Sequence, residues 1–171
     1  MIVTKNKEEL EIMRRAALMV SKTLGMIAAE IKPGVTTLRL DTLAEQYIRD
    51  NGAIPGFKGL YDCPSTLLIS PNEEVVHGIP KEVAIKEGDV LSIDCGAIVN
   101  GFYGDHAYTF AVGEVPQETI DLLDRTKNSL YVGIEQFRTG NRVGDVGYAI
   151  QEYCESFGYG VVRELVGHGL G

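Results

Sequence analysis

The sequence predicts a mixed α/β (α+β) protein built from two copies of one helix-then-sheet unit, the second copy cut short. Three observations carry that expectation. Apolar residues recur at helical spacing over two separated stretches. Strand-like segments joined by an Asn-Gly turn lie between them. A pair of glycines recurs with equal spacing in both helical stretches.

The first helix opens at Asn6, with Glu9 three residues on to complete a capping box. Leu10, Met13, Ala17, Val20, Leu24, Ile27 and Ile31 then alternate at steps of three and four, one apolar stripe on a long amphipathic helix. Lys32-Pro33-Gly34 ends it. A second helix starts near Thr36 or Thr37, turns Leu40, Leu43, Tyr47 and Ile48 inward, and stops at Asn51-Gly52. Strands are expected at 66–70, 90–99 and 102–112. Asn100-Gly101 joins the last two, because both residues tolerate the positive φ of a two-residue hairpin turn. From Pro116 a third helix carries Ile120, Leu123, Leu130, Ile134 and Phe137 and ends at Thr139-Gly140. A fourth runs from about Val143 to Phe157, and a strand is expected at 160–166.

Gly34 and Gly52 stand 18 residues apart, as do Gly140 and Gly158, with an offset of 106 between the pairs. At that offset Ala17 falls on Leu123, Leu24 on Leu130 and Ile31 on Phe137. The expected organisation is one domain over 1–171, with a first repeat at about 1–112 and the start of a second at about 116–171. By this arithmetic the second repeat ends before its sheet, and the first sheet would show an open edge.

Composition narrows the function classes. Of 171 residues, 44% are apolar and 23% charged, which supports a core and excludes global disorder. No apolar run reaches the roughly 18 residues of a membrane span, and Met1-Ile2-Val3-Thr4-Lys5 does not open a secretory signal. A net charge of −8 argues against sequence-independent nucleic-acid binding. The odd, scattered Cys63, Cys95 and Cys154 form no disulfide framework and no zinc knuckle, so a reducing, cytoplasmic setting is expected.

The hairpin arithmetic points to a site. With a two-residue loop, paired residue numbers sum to 201, so Gly96 faces Asp105 and Asp94 lies two residues away on the same face. Their Cα atoms would stand roughly 7–8 Å apart as diagonal neighbours. Two carboxylates there suit a pair of metal ions about 3.5–4 Å apart; the same geometry also fits two solvated aspartates. Val90, Leu91 and Ile93 mark the strand as buried, and a carboxylate on a buried strand needs a cation or several donors. His168 sits between Gly167 and Gly169, uncrowded enough to be presented as a ligand. His77 precedes Gly78-Ile79-Pro80, and His106 is expected on the opposite sheet face. Histidine with carboxylates is ordinary ligation for zinc, manganese, iron or cobalt.

His77-Gly78-Ile79-Pro80, Asp94 with Gly96, Gly101-Phe102-Tyr103-Gly104-Asp105 and Gly167-His168-Gly169-Leu170-Gly171 together resemble the successive motifs of type I methionine aminopeptidases. The resemblance covers nearly the whole chain and corresponds to the N-terminal two-thirds of the family. It implies a pita-bread fold of two pseudo-symmetric halves and a site for two divalent ions (cobalt, manganese, iron or zinc). It assigns Asp94 to one ion, Asp105 to both as a bridge and His168 to the other. It makes His77 a catalytic residue contacting the substrate. Phe57 and Tyr61 become walls of the methionine pocket, and Leu68 stands where relatives carry cysteine. The family's two glutamate ligands lie past residue 171.

The implied activity is removal of the N-terminal methionine from new chains, with the 171 residues alone expected to turn over little. The implied partners are N-terminal Met-peptides, with ribosome contact and self-association as further expectations, and neither nucleic acid nor membrane. The rival readings are an X-Pro peptidase of the same fold and a non-catalytic binding module.

Overall fold

The computed structural model describes residues 3–170, so Met1 and Ile2 of the opening segment and Gly171 of the glycine-rich motif lie outside the described residues. Among the described residues the chain divides into two compact units, 3–114 with 169–170, and Val115–His168.

In the first unit, helix α1 spans Lys7–Glu30 behind the expected capping box. Glu9 donates its amide to Asn6 Oδ1 at 2.9 Å, and Glu9 Oε2 accepts from the Asn6 amide at 2.8 Å. Helix α2 spans Thr37–Asp50, capped by the Thr36 hydroxyl, which accepts from Arg39 N at 3.1 Å. Four antiparallel strands follow: β1 (Ile54–Pro55), β2 (Leu67–Pro71), β3 (Val90–Val99) and β4 (Phe102–Ala111). β4 runs along the whole of β3, which leaves β1 and β2 to share its other edge. The turn at Asn100 (φ 48°) and Gly101 (φ 85°) sets the register, Val99 with Phe102 and Gly96 with Asp105.

Period-two alternation gives β3 two different faces. Leu91, Ile93, Cys95, Ala97 and Val99 are buried with α1 and α2 in the hydrophobic core. Ser92, Asp94, Gly96 and Ile98 point to the other face. The core side selects a slightly different stripe of α1 from the expected one. Ala16, Val20, Leu24 and Ile27 are buried, whereas Leu10 is 53% exposed. The reason is close approach: a Cβ on Gly104 would stand 2.4 Å from the Ala16 carbonyl carbon. β4 therefore touches the helix backbone at Ala16 rather than the side chain of Ala17. Gly104→Ala should destabilise the protein by about 1–3 kcal/mol through overpacking against backbone that cannot yield. Urea denaturation measures it, and an unchanged midpoint would remove this account of the packing.

In the second unit, α3 (Gln117–Glu135) and α4 (Val143–Ser156) form a hairpin. They meet through small residues. Ser129 and Gly133 are buried, and a Cβ on Gly133 would lie 2.7 Å from Ile150 Cδ1. Of the apolar residues expected to mark α3, Leu130, Ile134 and Phe137 are all more than half exposed. Residues 160–166 form no strand; they carry a turn at 163–164 and pair with no strand among the described residues.

Matched features occur in each unit. α2 and α4 have equal lengths of 14 residues and begin 106 residues apart. Gly34 (φ 91°) and Gly140 (φ 101°) adopt the same left-handed conformation before them, as do Gly52 (φ 74°) and Gly158 (φ 82°) after them. Positive φ at matched positions is a backbone requirement that glycine meets without strain.

Candidate metal and substrate site

The polar face of β3 carries the site. Asp94 lies opposite Leu68 of β2 on one side and Ala107 of β4 on the other, and Asp105 pairs with Gly96. The two carboxylates therefore share one face of the hairpin as diagonal cross-strand neighbours. Burial first, and then the Asp105 charge and hydrogen bond, push the Asp94 carboxyl up to about 6, while the Cys95 amide and His77 pull it part of the way back. Asp94 Oδ1 is buried with no hydrogen-bond partner. A buried acceptor oxygen without a donor, facing a second carboxylate, is poorly stabilised in protein alone. A divalent cation would satisfy both oxygens, so the residues present fit a metal ion. Across the strand, burial and the neighbouring carboxylates push the Cys95 thiol up to about 12, which makes it an inert core residue.

Among the described residues no group of three or more His, Cys, Asp or Glu side chains is placed to hold a metal ion. The first unit brings together the two aspartates. His168 belongs to the second unit, exposed on the irregular segment after α4.

His77 is held at the outer edge of β2. Gly78 donates its amide to Ser70 Oγ at 3.0 Å and accepts from the Ile69 amide at 2.7 Å. His77 itself takes a left-handed φ of 61°, uncommon for a residue with a side chain, and its imidazole is exposed yet close enough for Asp94 to feel its charge. His106 pairs with Cys95 and so points to the opposite face, as expected.

The expected pocket residues separate. The Phe57 ring lies against Gly96, and half-buried Leu68 stands directly opposite Asp94, so both border the carboxylates. Tyr61 does not: it is 96% exposed, in a tight turn at Leu60–Asp62 where its own φ is 49°. The left-handed backbone there throws the ring outward, so Tyr61 walls no pocket within the first unit. A cleft of about 220 Å³ bordered by Ile69, Leu91, Ile79 and Lys81 is separate from the carboxylates, since Ile69 and Leu91 belong to the core side of the sheet.

Sequence reasoning missed Asp41. It is 6% exposed on α2, and its Oδ1 accepts from the amides of Thr66 at 2.9 Å and Leu67 at 2.7 Å, which fixes the start of β2 and hence Leu68. A signal was present: Asp41 lies within the buried stripe of Thr37, Leu40, Ala44 and Ile48, where a carboxylate has no place without a partner.

Comparison with known proteins follows the same lines. Residues 11–171 match the model of metallopeptidase family M24. The chain is 52% identical to a methionine aminopeptidase of Clostridium acetobutylicum over 172 residues, covering all of this chain and 69% of that protein. It superposes on the crystal structure of methionine aminopeptidase from Rickettsia prowazekii with a TM-score of 0.97 at 37% identity, over 99% of this chain and 68% of that one. Prolidase from Pyrococcus furiosus matches at a TM-score of 0.80 and 22% identity over 91% of this chain and 45% of that one, a likeness of fold alone.

Proposed function

Because this chain belongs to metallopeptidase family M24, among its methionine aminopeptidases, and has their pita-bread fold, we propose that the polar face of β3 is the metal-binding floor of a site that removes N-terminal methionine. The single observation that carries the reading is the buried, unpartnered Asp94 Oδ1 beside Asp105. The family resemblance supports two ions, held by Asp94, Asp105 and His168. Divalent ions held there would supply Lewis-acid activation of a scissile carbonyl and of an attacking water.

The chain's own residues do the rest. Asp94 and Asp105 provide acceptor oxygens on one rigid pair of strands, so the ligands need little reorganisation. His77, on its strained loop at the edge of β2, is poised to contact the peptide group next to the N-terminal residue. Phe57 and Leu68 offer apolar surface beside the carboxylates for an unbranched side chain and exclude water from that part of the site. The X-Pro reading is the weaker one, because the prolidase likeness lies at 22% identity against 52% for the methionine enzyme.

The test is a titration with manganese followed by assay of methionine release from a Met-Ala-Ser peptide. The 171 residues are expected to bind Mn²⁺ and to turn over well below about one per second, the low end of the usual enzyme range, since the family's glutamate ligands are not among them. No Mn²⁺ binding by the parent chain would sink the metal reading. Turnover near one per second, abolished by Asp105→Ala, would show that other groups within residues 1–171 complete the site.

A further inference from the structure

The carboxylate face has one feature that the metal does not explain. Gly96 sits in the interior of β3, buried, paired with Asp105 and two residues from Asp94. Its φ is not among the positive values in the chain, so the backbone conformation there does not demand glycine. A glycine in a strand interior weakens the strand and often marks the close approach of another group. Here that group is an aromatic ring. A Cβ at position 96 would stand 2.6 Å from Phe57 Cε1, 2.9 Å from Cδ1 and 3.0 Å from Cζ. Ordinary carbon contacts need roughly 3.5–4.0 Å.

A second observation points the same way. Gly56 donates its amide to the Gly96 carbonyl oxygen at 2.8 Å, and a Cβ on Gly56 would lie 2.8 Å from the Gly96 carbonyl carbon. Two glycines therefore meet back to back, and the 56–57 backbone is stitched onto β3 at the residue that faces Asp105. Phe57 is only half-buried. Its ring rests on the strand at Gly96, and the residue keeps part of its surface open.

We propose that Gly96 is a specificity-determining position: with no side chain there, the Phe57 ring packs directly against the strand at the residue that faces Asp105, and the ring's height above the strand sets how long a side chain the site accepts at the substrate's N-terminus. This rests on the reading of the face as an aminopeptidase site. A methyl group at position 96 would lift the ring by about 1 Å, the shortfall from an ordinary contact. The lifted ring takes space from a long, unbranched side chain and leaves a short one unaffected.

The experiment compares the hydroxamates of L-methionine and L-alanine, which share a metal-chelating head and differ only in side chain. Calorimetric binding to the Mn²⁺-loaded chain should favour methionine hydroxamate by at least about 10-fold, the scale of discrimination that apolar side-chain contacts supply. Gly96→Ala should cut that preference by about 5-fold or more, with alanine hydroxamate and Mn²⁺ affinities kept within about 2-fold. In EDTA, Gly96→Ala should lower the thermal midpoint, and adding Phe57→Leu should restore most of the loss, because the clash is with the ring. Phe57→Leu alone tests the same idea in a chain with no added bulk: it should raise the affinity for phenylalanine hydroxamate relative to methionine hydroxamate. An unchanged preference in Gly96→Ala, a thermal loss that Phe57→Leu does not relieve, or no gain for the larger side chain in Phe57→Leu would overturn the role of Gly96. Failure of both hydroxamates to bind the loaded parent chain would instead overturn the proposed function, and the specificity role with it.

Discussion

Asp94→Asn is expected to stabilise the metal-free protein at pH 7 and, in the same protein, to weaken Mn²⁺ binding by at least about 100-fold, since it removes a charged metal ligand. The opposite signs have one cause. Asp94 is held at about 6, well above its ordinary 3.8, because burial and Asp105 disfavour its charge. A carboxyl whose folded-state pKa is raised binds a proton more tightly in the folded than in the unfolded chain. Its contribution to stability is fully present below about pH 4 and is lost as pH rises through about 6. By pH 7 the loss is about 1–3 kcal/mol, taking roughly two units at 1.36 kcal/mol each as an upper bound. Asparagine keeps the shape without the charge. Its thermal midpoint in EDTA should therefore exceed the parent's by roughly 3–10 °C at pH 7, and the gap should close toward pH 4. A parent chain in EDTA that is as stable as Asp94→Asn at pH 7 would show that Asp94 has protein partners enough, and the case for a cation would lose its support.

The second large effect is structural. Asp41→Ala should cost about 2–4 kcal/mol, because it strands two buried amides at the head of β2, each worth about 1–3 kcal/mol when unpaired, with some relief from removing a buried charge. The Asp41 carboxyl is itself pushed up by burial and drawn back by the Leu67 and Thr66 amides, so it functions mainly as an acceptor. Asp41→Asn retains an acceptor oxygen in the same place and should cost less than about 1 kcal/mol. Urea denaturation in EDTA separates the two variants. Equal losses would mean that the charge of Asp41, and not its hydrogen bonds to Thr66 and Leu67, holds the strand.

These two residues also mark the boundary of what a linear reading reaches. Asp94 was legible because its signals are local. Asn100-Gly101 fixes a two-residue turn, the turn fixes the register, and the alternation of a strand then places Asp94 and Asp105 on one face. The helices were legible for the same reason, since capping at Asn6 and Thr36 and the matched glycines at 34, 52, 140 and 158 act within a few residues. The family followed from four short motifs in order, with no need of coordinates.

Other features depend on residues far apart in sequence. Asp41 finds the amides of Thr66 and Leu67 across 25 and 26 positions; its place in the buried stripe of α2 signals that it needs a partner, and only the packed fold says which. Phe57 meets Gly96, and Gly104 meets Ala16, only because the sheet and α1 are already packed. Tyr61 and Phe57 look alike as aromatic residues ahead of β2, yet a left-handed backbone sends one into solvent while a pair of glycines seats the other on the strand. The strand expected at 160–166 failed for the converse reason: a strand exists only where a neighbour supplies the ladder. The sequence by itself determined the four helices, the hairpin register and the carboxylate pair, all set by chemistry within a turn or two of chain. The tertiary structure alone decided which side chains are desolvated, which glycines are needed for space, and which aromatic ring stands beside the carboxylates, because burial and close approach are properties of packed surfaces and not of any segment.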